Sequence, residues 1–321
     1  MKVIQNLVFI FPGQGSQSIG MLSELAAEYP QLVETFDEAS SVLGQNLWEL
    51  VCNGPAEALG CTELTQPLML TGGFALWRLW TALTDARPAV MAGHSLGEYT
   101  ALVAAGSLEF STALRVVAER GRLMQAAVPA GQGAMAAILG LDDEIVEAIC
   151  REVAEQQVVV AANYNSPGQI VIAGESAAVE RAMRACQDAG ARRTLKLPLS
   201  VPSHCPLMAP AAEQLRTVLA DVLIQTPQIP VLHNADLRVH QTGDEIRAAL
   251  VAQLCAPVRW TDTIRTLRAR GAVVLAECGP GRVLSALGKR IDRSLHWMAL
   301  DTPAGIEALR SLDFSGETTS T

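Results

Sequence analysis

No apolar run in this chain is long enough to cross a membrane, because the longest candidates carry Arg78 or Glu98 within them. The opening Met1-Lys2-Val3-Ile4-Gln5-Asn6 loses its apolar character too early for a secretory signal. No C-x-x-C pair occurs among the seven cysteines, an odd number scattered from Cys52 to Cys278. That pattern excludes a disulfide frame and a zinc site, and fits small core residues in a reducing compartment. Positive charge is scarce: 24 Lys and Arg face 33 Asp and Glu, for a net charge of −9. Nucleic acid is therefore not expected as the main partner, although a local basic patch could receive an anionic one. The segment Gly13-Gln14-Gly15-Ser16-Gln17 has neither G-x-G-x-x-G nor G-K-[ST], which leaves a nucleotide reading weak. Repeats and low-complexity blocks are absent too.

What the chain does have is bulk. Its 321 residues are 50% hydrophobic, ample for one large domain or a domain with an insertion. Within it, Gly93-His94-Ser95-Leu96-Gly97 reads G-x-S-x-G directly after the apolar run Ala89-Val90-Met91-Ala92. A serine on a strand-to-helix turn holds its hydroxyl above the sheet, and the new helix offers its N-terminus to a developing negative charge. The alternative is a serine that merely caps a helix in a glycine-rich loop.

Strands and helices alternate from Leu7–Phe11 onward, with helical periodicity over Leu32–Leu43, Leu68–Leu83 and Ser111–Gln125, which predicts a parallel α/β sheet. The middle departs from this rhythm. Strands at Ala134–Leu141, Val158–Ala162, Gln169–Ala173 and Arg193–Leu199, with helices at Asp142–Ala154 and Ser176–Ala189, give the order β-α-β-β-α-β of a ferredoxin-like unit. The expected organisation is a body of residues 1–129 and 199–312, a ferredoxin-like subdomain inserted at 130–198, and a disordered polar tail at 313–321.

A serine nucleophile needs a base, and the chain has five histidines. His94 adjoins Ser95, but successive residues at such a turn project differently. His233, His240 and His296 lie in segments with no other chemical signal. His204, in Val201-Pro202-Ser203-His204-Cys205, leaves the last strand of the inserted unit, where clefts form between subdomains, and is the first choice. No acid between Ser95 and His204 declares itself as a third member. A backbone carbonyl can orient an imidazole instead, so an ordinary hydrolase triad is disfavoured. On the helix Ser111–Gln125, Arg120 shares the apolar stripe of Ala113, Val117 and Met124, whereas Arg115 and Arg122 point away. A guanidinium on a buried face needs a partner. An internal salt bridge and a fork for a substrate carboxylate are equally open readings.

Four segments together resemble the malonyl-CoA:acyl-carrier-protein transacylases of bacterial fatty acid synthesis. They are Phe11-Pro12-Gly13-Gln14-Gly15-Ser16-Gln17, Gly93-His94-Ser95-Leu96-Gly97-Glu98-Tyr99, Asn163-Tyr164-Asn165-Ser166-Pro167-Gly168-Gln169 and Val201-Pro202-Ser203-His204, within a likeness from about residue 7 to about residue 305. The resemblance implies an α/β-hydrolase-like body with an inserted ferredoxin-like subdomain. It makes Ser95 the nucleophile, His204 the base and Gln253 the residue whose carbonyl orients the histidine. Arg120 becomes the malonyl-carboxylate arginine, Gln14 and Leu96 the oxyanion amides, and Gln66 a glutamine near the site. Val201-Pro202-Ser203-His204 departs from the H-A-F-H of polyketide-synthase malonyl domains, so selectivity for malonyl over methylmalonyl rests on the resemblance alone.

The implied reaction moves malonyl from malonyl-CoA to the phosphopantetheine thiol of acyl carrier protein through a malonyl-serine, with no cofactor and no metal, in a cytoplasmic monomer that binds neither nucleic acid nor membrane. A malonyl loader for a polyketide synthase or a malonate decarboxylase complex is the runner-up. A serine thioesterase or esterase, and a non-catalytic subunit, are less favoured. Two basic groups are docking candidates for an acidic carrier: Arg192, Arg193 and Lys196 in the last strand of the inserted unit, and Arg282, Lys289 and Arg293, whose spacing predicts one helix face.

Overall fold

A computed structural model describes residues 2–198, 201–312 and 314. Among the described residues nine strands follow one another: β1 (Lys2–Phe11), β2 (Ala86–Gly93), β3 (Gly133–Leu139), β4 (Val159–Ser166), β5 (Gln169–Glu175), β6 (Arg193–Lys196), β7 (Val231–Leu232), β8 (Val274–Glu277) and β9 (His296–Ala299). Five of them form one sheet in the order β7-β2-β1-β8-β9, with every pairing parallel. Parallel strands with helices on both faces must be apolar on both sides. In β1, accordingly, Leu7 to Phe11 are all buried. Leu7, Phe9 and Phe11 enter one hydrophobic cluster, and Val8 and Ile10 enter another across the sheet. Phe9 meets Trp77 edge-on at 5.7 Å between ring centroids, which pins the helix Thr62–Leu83 to its face.

The other four strands form a separate antiparallel sheet in the order β4-β5-β3-β6. The helices Asp143–Val153 and Ser176–Asp188 contribute to its apolar cluster through Val146, Cys150, Val179 and Ala182. The β-α-β-β-α-β order read in the sequence is the order observed. The two sheets meet where β4 continues onto the segment after Gln253: Tyr164 N–H donates to the Val258 carbonyl at 2.9 Å, and Val258 N–H to the Ala162 carbonyl at 2.8 Å.

Several expected boundaries shift. β6 ends at Lys196 and not at Leu199, because Pro198 has no N–H for the ladder; Leu199 itself lies outside the described residues. The helix expected from Leu68 begins at Thr62 and carries Pro67 inside it. Its first turn is tied by the Thr65 hydroxyl donating to the Cys61 carbonyl at 2.9 Å. The single face expected for Arg282, Lys289 and Arg293 does not form. The helix spans only Val283–Ile291, so Arg282 precedes it and Arg293 lies beyond its end. β9 and the helix Pro303–Arg310 went unread, being too short to show a period. The tail expected over 313–321 lies outside the described residues apart from Phe314.

Candidate active site

The site grows from the end of β2. Phe11 of β1 pairs with Gly93, and His94 N–H donates to the Phe11 carbonyl at 2.9 Å, so the chain stays docked on its neighbour until the turn begins. Ser95 then takes a φ of 51°, in the left-handed region that a non-glycine residue adopts at a cost of about 1–3 kcal/mol. Both flanking glycines are required by close approach. A Cβ on Gly93 would strike the Gly97 backbone, and one on Gly97 would strike the Phe11 carbonyl. The helix Gly97–Ala104 starts immediately after. This is the strand–turn–helix that the pentapeptide predicts at the carboxyl edge of a parallel sheet.

Four distant segments bring side chains to that turn, those of His204, Arg120, Asn234 and Gln253. His204 is buried, with a φ of 61°, and its Nε2 lies 2.8 Å from Ser95 Oγ. Its Nδ1 lies 2.9 Å from the backbone carbonyl of Gln253 and 3.2 Å from that of Ala256. Two carbonyl acceptors hold the proton on Nδ1, which leaves Nε2 free to accept from the serine hydroxyl. Burial, then the neighbouring Arg120 charge, pushes the imidazole pKa down to about 3, so the ring is neutral at ordinary pH.

Arg120 is fully enclosed, 1% exposed, on the helix Phe110–Ala127. Arg115 and Arg122 on the same helix are exposed, as the stripe predicts. The guanidinium donates to Gln66 Oε1 at 2.7 Å and Gln253 Oε1 at 3.0 Å, and Nη2 lies 3.4 Å from Ser95 Oγ. Its Nε is buried without a partner, and no carboxylate stands within ion-pair distance of it among the described residues. The internal salt bridge left open by the sequence is thus not formed. Amide oxygens stand there instead, and they satisfy hydrogen bonds without cancelling the charge. The Tyr99 ring lies 5.4 Å beneath the guanidinium carbon.

Gln14, Gln66, Ser95, Leu96, Arg120 and His204 all line one cavity of about 150 Å³. The side chains of Asn163 and Asn165 on β4 and of Met135 on β3 close its other wall. His94 reaches that wall, with Nε2 2.9 Å from Asn165 Oδ1. The docking candidates are elsewhere. Lys196 pairs with Glu180 at 3.0 Å on the surface, Arg193 is exposed, and Arg282 pairs with Asp301 at 3.0 Å. Among the described residues no group of His, Cys, Asp or Glu is arranged to hold a metal ion, and no helix is long and apolar enough to cross a membrane.

Sequence reasoning missed what lies under the serine. Glu98 is wholly buried, and its carboxylate accepts from His233 Nδ1 at 2.7 Å, Asn234 N–H at 2.9 Å and Gln253 Nε2 at 2.9 Å. Asn234 in turn clamps the turn, accepting from Ser95 N–H and donating to the Gly93 carbonyl, both at 2.7 Å. His233, set aside for want of a local signal, is part of this cluster.

The parallel sheet, the serine turn and the histidine over it define a class that the family comparison identifies: residues 8–304 match the acyl transferase domain, and the chain belongs to that family. Its relatives narrow the class further. The chain is 52% identical over 307 residues to the malonyl CoA-acyl carrier protein transacylase of Haemophilus influenzae, covering 95% of this chain and 98% of that protein. It superposes on the solved malonyl CoA-acyl carrier protein transacylase of Coxiella burnetii with a TM-score of 0.94 at 48% identity, over 96% of this chain and 98% of that one. A second structure, a malonyl-transacylase in complex with its type II PKS acyl-carrier protein, matches with a TM-score of 0.93 at 51% identity, over 94% and 98% of the two chains.

Proposed function

We propose that this protein transfers the malonyl group of malonyl-CoA to the phosphopantetheine thiol of an acyl carrier protein, by ping-pong chemistry through a malonyl ester of Ser95. The observation that carries the reading is the serine–histidine contact of 2.8 Å with the Arg120 guanidinium 3.4 Å from the same hydroxyl. His204 Nε2 takes the Ser95 proton as Oγ attacks the thioester carbonyl. The backbone amides of Gln14 and Leu96 receive the oxyanion, and the protonated histidine gives its proton to the departing CoA thiolate. The carrier thiol then attacks the ester by the same steps in reverse. The Gln253 carbonyl orients the imidazole throughout.

Arg120, whose Nη2 lies 3.4 Å from Ser95 Oγ, meets the free malonyl carboxylate, which matches its planar fork. Gln66 holds the guanidinium in place. Thioester and ester have similar transfer potential, so the reaction asks for no cofactor beyond the carrier's own prosthetic group.

The two sheets with their separate apolar clusters support a division into an α/β-hydrolase-like body of 1–129 and 199–312 and a ferredoxin-like subdomain of 130–198. Arg192, Arg193 and Lys196 on one side, and Arg282 and Lys289 on the other, are the cations offered to an acidic carrier. We place the reaction in the cytoplasm, where malonyl-CoA and its carrier meet. The complex of a similar transacylase with a type II PKS carrier favours a second reading, in which the same chemistry serves a polyketide carrier. Steady-state comparison of purified fatty acid and polyketide carriers separates the two.

The central test is intact-protein mass spectrometry after mixing with malonyl-CoA alone. One malonyl adduct is expected on the wild-type chain and none on Ser95→Ala; an adduct that survives in the variant rejects the assignment.

A further inference from the structure

Arg120 is a buried cation whose direct partners are neutral, two amides and the Ser95 hydroxyl, and Glu98 is a buried carboxylate that touches no Lys or Arg among the described residues. One side chain joins them. Gln253 accepts from Arg120 Nη2 through Oε1 at 3.0 Å and donates through Nε2 to Glu98 Oε2 at 2.9 Å. We propose that Glu98 is a positioning and specificity-setting residue, the counter-charge of Arg120 across the Gln253 amide. The inference rests on the malonyl-transfer reading above.

The pairing of Glu98 is set by its neighbours. His233 Nδ1 lies 2.7 Å from Oε1, while His233 Nε2 is buried with no partner among the described residues. The ring thus engages Glu98 through Nδ1 alone. The guanidinium across the Gln253 amide is the nearest Lys or Arg that the carboxylate is linked to among the described residues. The Gln253 amide is polarised from both ends, which fixes which way its oxygen and nitrogen point. That same residue supplies the backbone carbonyl at 2.9 Å from His204 Nδ1, so the Glu98 grip reaches the base as well.

A consequence for specificity follows. A malonyl carboxylate entering beside Arg120 meets a guanidinium already balanced by Glu98, which tempers the preference for an anionic acyl group over a neutral one. The substitution Glu98→Gln tests this with little change of shape. The introduced amide can still accept from Asn234 and Gln253 if its NH2 faces His233, whose proton moves from Nδ1 to Nε2.

The experiment measures single-turnover acylation of Ser95 by malonyl-CoA and by acetyl-CoA, read by intact mass. Glu98→Gln is expected to raise the malonyl-to-acetyl rate ratio on the order of tenfold, the size of one charge–charge coupling at an effective dielectric constant of about 20. A general loss of folding lowers both rates together and leaves the ratio alone. An unchanged ratio overturns the proposal. Malonylation of the wild-type chain is the control: if it fails, the proposed function fails and not this inference.

A second arm measures denaturation midpoints for wild type, Glu98→Gln, Arg120→Met and the double variant. The double variant is expected to be more stable than the sum of the two single losses predicts, because it buries neither charge alone. The cost of the altered His233 cancels in the cycle. Additive losses, or a double variant that does not fold, overturn the pairing; a double variant that folds where either single does not supports it.

Discussion

Around the five-stranded sheet, Glu98, Arg120, His204, His233, Asn234 and Gln253 are each no more than 3% exposed, and they come from five separate stretches of chain. The four-stranded sheet is different. Its cluster of Ala136, Ile138, Val159, Ile170, Ile172, Val179 and Cys186 is apolar throughout, and it gives the cavity only a wall that includes Asn163, Asn165 and Met135. Burying polar groups is destabilising unless each finds a partner, and it fixes geometry when each does. The first region therefore holds reacting atoms in register, while the second is bulk that shapes an entrance. Damage to the two should look different: loss of rate per folded molecule in one, loss of fold without loss of intrinsic rate in the other.

The largest expected effect lies in the polar region. His204→Ala should slow acylation of Ser95 and transfer to the carrier by about 10²–10⁴-fold, the usual contribution of a general base. Measured half-reactions near the wild-type rate would move the base elsewhere. Next comes Arg120→Ala, which should weaken malonyl transfer by roughly 2–5 kcal/mol while sparing acetyl transfer comparatively, since a desolvated bidentate partner is removed for one substrate only. Equal losses for both acyl groups would assign Arg120 to the fold and not to the substrate.

That contrast also explains what could be read from the chain beforehand. Ser95 is legible because strand, glycine, serine and helix are contiguous, and Gly93 and Gly97 are demanded by backbone contacts. Arg120 is legible because a helix period exposes a cation on the wrong face. The β-α-β-β-α-β order needs only strand and helix periods, and β3 to β6 follow it. The Glu98 cluster was not legible. Its partners His233 and Gln253 are 135 and 155 residues away in sequence, and β7, which delivers His233, is only two residues long. The one available hint was an acid in the second position of an otherwise apolar helix (Gly97-Glu98-Tyr99-Thr100-Ala101-Leu102), where burial must be matched by donors.

The apolar region is tested by Ile172→Ala, which opens a cavity at a position 0% exposed in the four-stranded sheet. A loss of about 2–5 kcal/mol in unfolding free energy is expected. Acylation of Ser95 per folded molecule should be unchanged; a parallel fall in that rate would show that the wall carries more than shape.

A smaller effect concerns pH. With the His204 pKa pushed down to about 3 by burial and the Arg120 charge, the base stays deprotonated on acidification through 6.5, so acylation should show no histidine limb between about pH 5 and 7. Stability has the opposite sensitivity. The unfolded histidine binds a proton below its ordinary value of 6.5 while the folded one does not, so the folded state loses stability as pH falls from there toward about 3. In His204→Gln this share of the acid sensitivity should vanish, as read from denaturation midpoints at about pH 7 and pH 4.5. A variant with the full wild-type slope would locate the proton uptake elsewhere.

The smallest expected effects are at the surface. Both the chain, at −9, and a typical acidic carrier are negative, so encounter must use local cations. Arg282, no longer on one face with Arg293, still shares with Lys289 a groove of about 700 Å³ that also contains Trp297. Arg193 is exposed at the other site, whereas Lys196 is already engaged by Glu180 at 3.0 Å. An exposed ion pair is worth about 0.2–1 kcal/mol, so one reversal, Lys289→Glu or Arg193→Glu, should raise the KM for carrier protein only severalfold at low salt. The two sites make distinguishable demands. If the groove receives the carrier, Lys289→Glu acts and Arg193→Glu does not, and Asp301→Asn, which releases Arg282, lowers the KM. Malonylation of Ser95 from CoA should be untouched in all three variants, because none of these residues lines the cavity. Added salt should erase the difference from wild type by screening the attraction that wild type retains. Carrier kinetics indifferent to every reversal at low salt would leave docking to apolar contacts and remove both basic groups from the account.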